Sequence, residues 1–216
     1  MQPLHDWIER LRAQLRLPLP GEEAQYRMAP SYRPKLSREE ILSYNPRAGG
    51  VLVLLYPKSN ELHIAFTKRK EYPGVHSGQM SFPGGKKEEC DSSLTHTALR
   101  EASEEIGIDI STVDILGTLS EVYIPPSNFL VLPTVGFTSL SVPFGKPNDE
   151  VDEIIEIPLS FFLKSESVCL QKEIRLFNGH KTVVPAYVYG SYVIWGATAI
   201  ILSEFTYIAA QIAENR

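Results

Sequence analysis

The stretch from Phe82 to Ile108 constrains this chain more than any other. It opens Phe82-Pro83-Gly84-Gly85 and closes Arg100-Glu101-Ala102-Ser103-Glu104-Glu105-Ile106-Gly107-Ile108. Two adjacent glycines after a proline dictate a backbone turn. Beyond the turn, Asp91, Ser92 and Ser93 are candidate N-caps, Leu94 opens an apolar pattern and Gly107 supplies a stop, which predicts a helix. At about 100° per residue, Leu99, Ala102 and Ile106 share one side with Thr95 beside them, while Glu101, Glu104 and Glu105 share another. Carboxylates at such spacing repel by a few tenths of a kcal/mol per pair, roughly. Arg100 neighbours Glu104 but cannot neutralise three acids. A hard divalent cation such as Mg²⁺, Mn²⁺ or Ca²⁺ can; a solvated acidic helix face is the alternative.

The glycine pair, fourteen further residues and then R-E-A-x-E-E-x-G-I resemble the Nudix box, G-x5-E-x7-R-E-U-x-E-E-x-G-U with U aliphatic. The box places a glutamate eight residues before the arginine. Here that position is Ser92, with one extra residue between Gly85 and Arg100, and Asp91 and Glu89 lie nearby but off register. The lengthened spacing after F-P-G-G resembles the coenzyme A pyrophosphatase branch. The resemblance implies an α+β fold, the Nudix α/β/α sandwich with a mixed β-sheet. It also implies that Glu101, Glu104 and Glu105 hold the metal with the Gly84 carbonyl, and that Arg100 orients the glutamates. Glu150, before Val151, resembles the downstream E-V of that branch, as an extra ligand or base; a solvated loop acid is the other reading.

Length and composition leave room for this and close other routes. The chain has 216 residues, 43% of them apolar, enough for one well-buried domain with extra elements. A net charge of −5 gives no global pull toward nucleic acid or an anionic membrane. No apolar run approaches the roughly 20 residues of a membrane span. Met1 to Arg16 is amphipathic and lacks a cleavage site for export. Cys90 and Cys169 belong to no metal or redox motif, as expected of reduced thiols in a cytoplasmic protein. Nothing fixes the oligomeric state, and a homodimer stays open.

Along the chain, residues 1–44 read as an N-terminal helical extension with a wrapping segment, and 45–216 as the Nudix domain. Leu4 to Leu17 is predicted helical, ended by Pro18 and Pro20, and Ser37 to Ser43 is a short helix with a Ser37–Glu40 capping box. Val51 to Tyr56 and Leu62 to Thr67 are strands about a turn at Pro57–Asn60. Lys68 to Met80 is a loop. Strands follow at Ile115–Tyr123 and Val131–Phe137, then Val151–Ile157 with a short helix from Pro158 to Leu163. Lys172–Phe177 and Lys181–Tyr189 form a hairpin about Asn178-Gly179, and Ala197 to Glu214 is a last helix with Ala199, Leu202, Ile208 and Ile212 apolar.

Substrate class rests on a second resemblance. Phe66-Thr67-Lys68-Arg69 and then His76-Ser77-Gly78-Gln79-Met80-Ser81-Phe82-Pro83-Gly84-Gly85 are similar to the coenzyme A-associated segment L-T-x-R … R-x3-G-x3-F-P-G-G, with Gly74 where its second arginine stands. Lys68, Arg69, Lys70, Lys86 and Lys87 are cations for the extra 3′-phosphate of coenzyme A, or are solvated. His76 can donate to a phosphate or cap a turn, and Gly85 joins the substrate set. Tyr123, Ser127, Asn128 and Phe129 are candidates for a pocket wall. The implied activity is Mg²⁺- or Mn²⁺-dependent cleavage of coenzyme A or its thioesters to 3′,5′-ADP and 4′-phosphopantetheine or its acyl derivative. The alternatives are a Nudix hydrolase of nucleotide sugars, NADH or dinucleotide polyphosphates, and a Nudix-fold binding module without turnover.

Overall fold

The computed structural model describes residues 2–71, 77–141, 144–164, 170–176 and 179–214. His76, Gly74, Cys169 and Asn178, singled out above, lie outside them. The architecture is α+β: one mixed sheet between two helical layers, with a smaller three-stranded sheet beside it.

Strand β1 (Arg47–Lys58) organises the sheet. Its run of apolar residues is buried on both faces, and the period of two divides it. Leu52, Leu54 and Tyr56 face helix α4 (Leu94–Ile106), whose Ala98, Ala102 and Ile106 meet them. Val53 and Leu55 point the other way, into a larger core shared with α1 (Gln2–Gln14) and α6 (Gly196–Glu214). Ile8, Leu11, Leu15 and Met28 from the N-terminal segment sit in that core with Leu202, Phe205, Ile208 and Ile212 of α6. The predicted N-terminal helix therefore packs on the last helix.

Strand β2 (Glu61–Arg69) returns antiparallel through Ser59 and Asn60, both at positive φ (51° and 66°), as a two-residue turn of this hand requires. The turn is thus tighter than the predicted Pro57–Asn60, and Pro57 pairs with Leu62 inside the ladder. β3 (Met80–Ser81) pairs with β2, and β4 (Gly84–Lys86) runs antiparallel to the start of β1. The single strand predicted at Ile115–Tyr123 is broken in two, β5 (Asp114–Thr118) and β6 (Val122–Ile124). The break falls where the Ser120 amide leaves the ladder to donate to the Glu204 carboxylate at 3.2 Å. Both pieces pair with β7 (Phe129–Phe137), which lies parallel to β1, Arg47 opposite Phe129 through to Leu55 opposite Phe137. β8 (Val151–Pro158) closes on β2 and runs into α5 (Leu159–Leu163). β9 (Leu170–Arg175), β10 (Lys181–Tyr189) and β11 (Tyr192–Trp195) form the smaller sheet.

Gly50 decides how closely α4 can lie on β1. A Cβ there would stand 2.1 Å from the Leu94 carbonyl oxygen, inside the first turn of the helix. Any side chain at that position would push the helix off the strand. The seating of α4 brings its acidic face to the Gly84–Gly85 turn.

Candidate active site

The ends of α4 follow from local chemistry. Ser93 is the N-cap, its hydroxyl accepting from the His96 amide at 3.0 Å, and Gly107 ends the helix at φ 65° in the left-handed region. Of the three candidate caps, Asp91 does something else. Its side chain is fully buried and takes the Arg100 guanidinium in a fork, Nε to Oδ1 and Nη2 to Oδ2, both at 3.0 Å. The Glu88 amide and the Thr97 hydroxyl also donate to Oδ2, at 2.9 and 3.0 Å. Hydrogen bonds from Arg100, reinforced by the Glu88 amide, hold the Asp91 carboxyl well below its usual range. The acid that holds Arg100 thus stands one residue before the Ser92 position. Sequence reasoning noted Asp91 but missed this role; the signal available was an acid in a turn nine residues before the helix's only arginine.

Arg100, so anchored, distributes its remaining donors. Nη2 reaches Glu101 Oε1 at 2.9 Å and the Lys86 carbonyl at 3.1 Å, and Nη1 spans both Glu104 oxygens at 3.2 and 3.3 Å. Glu101 is pressed against the glycine turn: a Cβ on Gly85 would fall 2.5 Å from its carboxyl carbon. Burial raises the Glu101 pKa and Arg100 pulls it down. Glu105 lies deeper, 4% exposed, and accepts a hydrogen bond from the Gly84 amide at 3.0 Å. Burial pushes its carboxyl up to about 7, against the Gly84 amide and the Arg69 cation; the charges of Glu101 and Glu150 push the same way as burial. Glu104 is half exposed on the Arg100 arm.

The fold brings Glu101 and Glu105 to the turn and holds Glu104 outward. Among the described residues no three acidic groups converge as a ready-made cation cage. The donors fit a hard dication in kind and in charge: oxygen ligands only, and a carboxylate whose pKa burial raises despite Arg69, a cost that a bound cation would offset. Glu150 is exposed, 3.7 Å from Arg69, and its charge is felt by both Glu101 and Glu105. The other predicted cations are dispersed. Lys68 pairs with Asp152 at 2.6 Å, Lys70 with Asp149 at 3.9 Å, and Lys86 is exposed on β4.

Comparison with known proteins gives the family and the fold. The profile described as NUDIX domain matches residues 46–184. The chain is 37% identical over 166 residues to Nudix hydrolase 15, mitochondrial, of Arabidopsis thaliana, covering 74% of this chain but only 57% of that protein. It is 34% identical over 167 residues to the mitochondrial coenzyme A diphosphatase NUDT8 of Homo sapiens, covering 76% of this chain and 70% of that one. A crystal structure of the Nudix hydrolase RenU from M. smegmatis superposes with a TM-score of 0.51 at 11% identity over 79% of this chain and 88% of that one, a likeness of fold. Among the described residues no helix is long and apolar enough to cross a membrane.

Proposed function

This chain belongs to the Nudix hydrolase family, and we propose that within it the protein is a Mg²⁺- or Mn²⁺-dependent pyrophosphohydrolase of coenzyme A or its thioesters. Nudix hydrolases act on nucleoside diphosphate derivatives and generally use divalent metal ions. The observation that carries the reading is Glu105, a buried carboxylate with the Gly84 amide as its one hydrogen-bond partner among the described residues, beside Glu101 at the glycine turn. Glu101, Glu104 and Glu105 would hold the dication, with Gly84 as a backbone ligand. When bound, the ion supplies positive charge to the phosphate oxygens and to the attacking water.

The protein's own residues do the rest. Asp91 fixes Arg100, and Arg100 fixes the rotamer of Glu101 at the turn while holding Glu104 outward, so Glu101 needs little reorganisation and Glu104 would have to turn in to reach the ion. Arg69 stands where a phosphate oxygen can replace Glu150, since an exposed ion pair is worth only about 0–1 kcal/mol. Glu150, released, is the acid we assign to take the proton of the attacking water. In that step the water oxygen bonds to one phosphorus of the anhydride while the bridging P–O bond breaks. The products are 3′,5′-ADP and 4′-phosphopantetheine or its acyl form.

Coenzyme A is favoured over other nucleoside diphosphates by two features. One is the segment from Phe66 to Gly85, and the other is the likeness to a coenzyme A diphosphatase over three quarters of the chain. A panel of coenzyme A, acetyl-coenzyme A, NADH, a nucleotide sugar and a dinucleotide polyphosphate, with product identification in Mg²⁺ and Mn²⁺, tests it. Coenzyme A and its thioester should be turned over fastest. Brisk turnover of the others with none of coenzyme A assigns a different Nudix substrate, and binding without products assigns a non-catalytic module.

A further inference from the structure

The N-terminal end of β1 carries side chains that the catalytic corner does not use. In the parallel register Arg47 lies opposite Phe129, and in the antiparallel register Gly49 lies opposite Lys86. Residues two apart in a strand, and residues directly paired across strands, share a face. Arg47, Gly49, Phe129 and Lys86 therefore stand together on the sheet face away from α4, with no side chain on Gly49 between them. The Arg47 guanidinium lies over the Phe129 ring at 4.2 Å, and its Nη2 donates to the Ser127 carbonyl at 2.7 Å. Arg47 is nonetheless exposed. The guanidinium carbon sits over the phenyl ring while the side chain stays accessible to solvent. Neither Arg47 nor Lys86 enters an ion pair with any described residue.

The shelf adjoins the reacting centre. Arg100 Nη2 touches the Lys86 carbonyl and the Glu101 carboxylate at once. Three residues of strand, about 10 Å, separate Gly50, opposite Gly85, from Arg47. A planar cation held over a ring and still exposed to solvent is suited to the face of a nucleobase. An unpaired ammonium beside it is suited to a phosphate monoester, which it meets as a point charge.

We propose that the Arg47–Phe129 stack seats the adenine of the substrate and that Lys86 receives the 3′-phosphate of the same nucleoside. This rests on the reading of the substrate as an adenosine-containing diphosphate. It adds to that reading the end of the molecule that is recognised and the residues that recognise it. Arg47 and Phe129 act by stacking, so they discriminate a base from no base; Lys86 discriminates a 3′-phosphorylated nucleoside from a plain one.

Calorimetric titration of the full chain with adenosine 3′,5′-bisphosphate and with 5′-AMP tests the assignment separately from catalysis. The wild-type protein should bind the bisphosphate more tightly. Arg47→Ala and Phe129→Leu should weaken both ligands by about tenfold, within the range for loss of one base-stacking partner. Lys86→Met should weaken the bisphosphate alone. Arg47→Lys, which keeps the charge and loses the plane, should show most of the Arg47→Ala loss and guards against a variant that merely misfolds. In turnover of coenzyme A, the Arg47 and Lys86 changes should raise KM far more than they lower kcat. Wild-type-like affinity for the bisphosphate in both Arg47→Ala and Lys86→Met would overturn the proposal, as would full rescue by Arg47→Lys. Loss of nucleotide binding in these variants, in a protein that turns over no coenzyme A, would keep the subsite and remove the substrate reading. Turnover of coenzyme A with a KM indifferent to Arg47 would keep the substrate reading and remove the subsite.

Discussion

Two glutamates, Glu105 on α4 and Glu204 on α6, are each buried within a helix, and their surroundings could hardly differ more. Glu204 is wholly buried and receives four donors: the Gly21 amide at 3.1 Å, Gln25 Nε2 at 2.9 Å, and the Ser120 amide and hydroxyl at 3.2 and 2.7 Å. Both its oxygens are satisfied by fixed dipoles. Glu105 receives the Gly84 amide alone among the described residues, and burial raises its carboxyl to about 7. A buried acid supplied with donors is a structural bolt, here tying the N-terminal segment, the β5–β6 break and α6 together. A buried acid short of donors is a site awaiting positive charge.

The sharpest way to break this contrast is to neutralise each acid in turn. If Glu105 holds the proposed dication, Glu105→Gln should cut kcat by more than the roughly 10–100-fold that follows loss of an outer-shell partner. In EDTA the same change should not lower Tm at pH 8, since an ionised Glu105 costs the metal-free fold up to about 3 kcal/mol there. The sign follows from the raised pKa. Between about 4.5 and about 7 the folded protein holds a proton that the unfolded chain has released. Wild-type stability from this group therefore rises as pH falls from 8 toward 5, and the Tm gap between wild type and Glu105→Gln should narrow over that window. A gap constant with pH would remove the burial argument.

Next in size is the arginine's anchor. Asp91→Asn keeps the shape and removes the charge that fixes Arg100, so kcat should fall about 10–100-fold. Because the Asp91 carboxyl is held low in the folded state, its contribution to stability is present at neutral pH. It is lost only as pH falls below the ordinary carboxylate range, through the folded-state value. Acid unfolding followed by circular dichroism should therefore separate wild type from Asp91→Asn at neutral pH and bring them together at low pH. Activity equal to wild type would show that Arg100 needs no anchor.

These residues differ in how far the sequence exposed them. The limits of α4 were legible because caps act locally: Ser93 and Gly107 serve the backbone within four residues of themselves. β1 was legible as a run too apolar for a solvent face. The pairing of β1 with β7 was not, since a parallel register is settled by contacts about eighty residues apart. Asp91 read as a cap because its partner is reached across a turn rather than along the helix. Glu204 passed unnoticed inside an apolar helix pattern, and with it the reason that Ile115–Tyr123 is not one strand. The donors that make Glu204 structural come from Gly21, Gln25 and Ser120, which only the fold assembles. The proposed catalytic face, by contrast, is almost entirely one helix and one turn, and a pattern that local is written in consecutive residues.

On the structural side of the contrast, Glu204→Gln should destabilise rather than inactivate. The amide turns an NH₂ toward donors that had an oxygen, leaving at least one unpaired at about 1–3 kcal/mol. Urea denaturation should show the midpoint fall with the slope unchanged, and kcat per folded molecule should stay near wild type. A large loss of kcat at full stability would mean that α6 reaches the active site by a route other than packing.

The smallest effect is expected where an acid is neither buried nor short of partners. Asp152 holds Lys68 at 2.6 Å, and both side chains are substantially exposed. Such a pair is worth about 0–1 kcal/mol, so Asp152→Asn should leave Tm nearly where it was. What changes is the freedom of Lys68, which loses its hydrogen-bonded counter-ion and keeps only the more distant charges of Glu153 and Glu71. If Lys68 meets the phosphates, KM for coenzyme A should fall, by about threefold at most, at low ionic strength. The gain should vanish near 1 M salt, where screening shortens to about 3 Å. A KM that ignores both the substitution and the salt would place Lys68 among the solvated surface charges, and leave Arg69 as the cation of β2 that faces substrate.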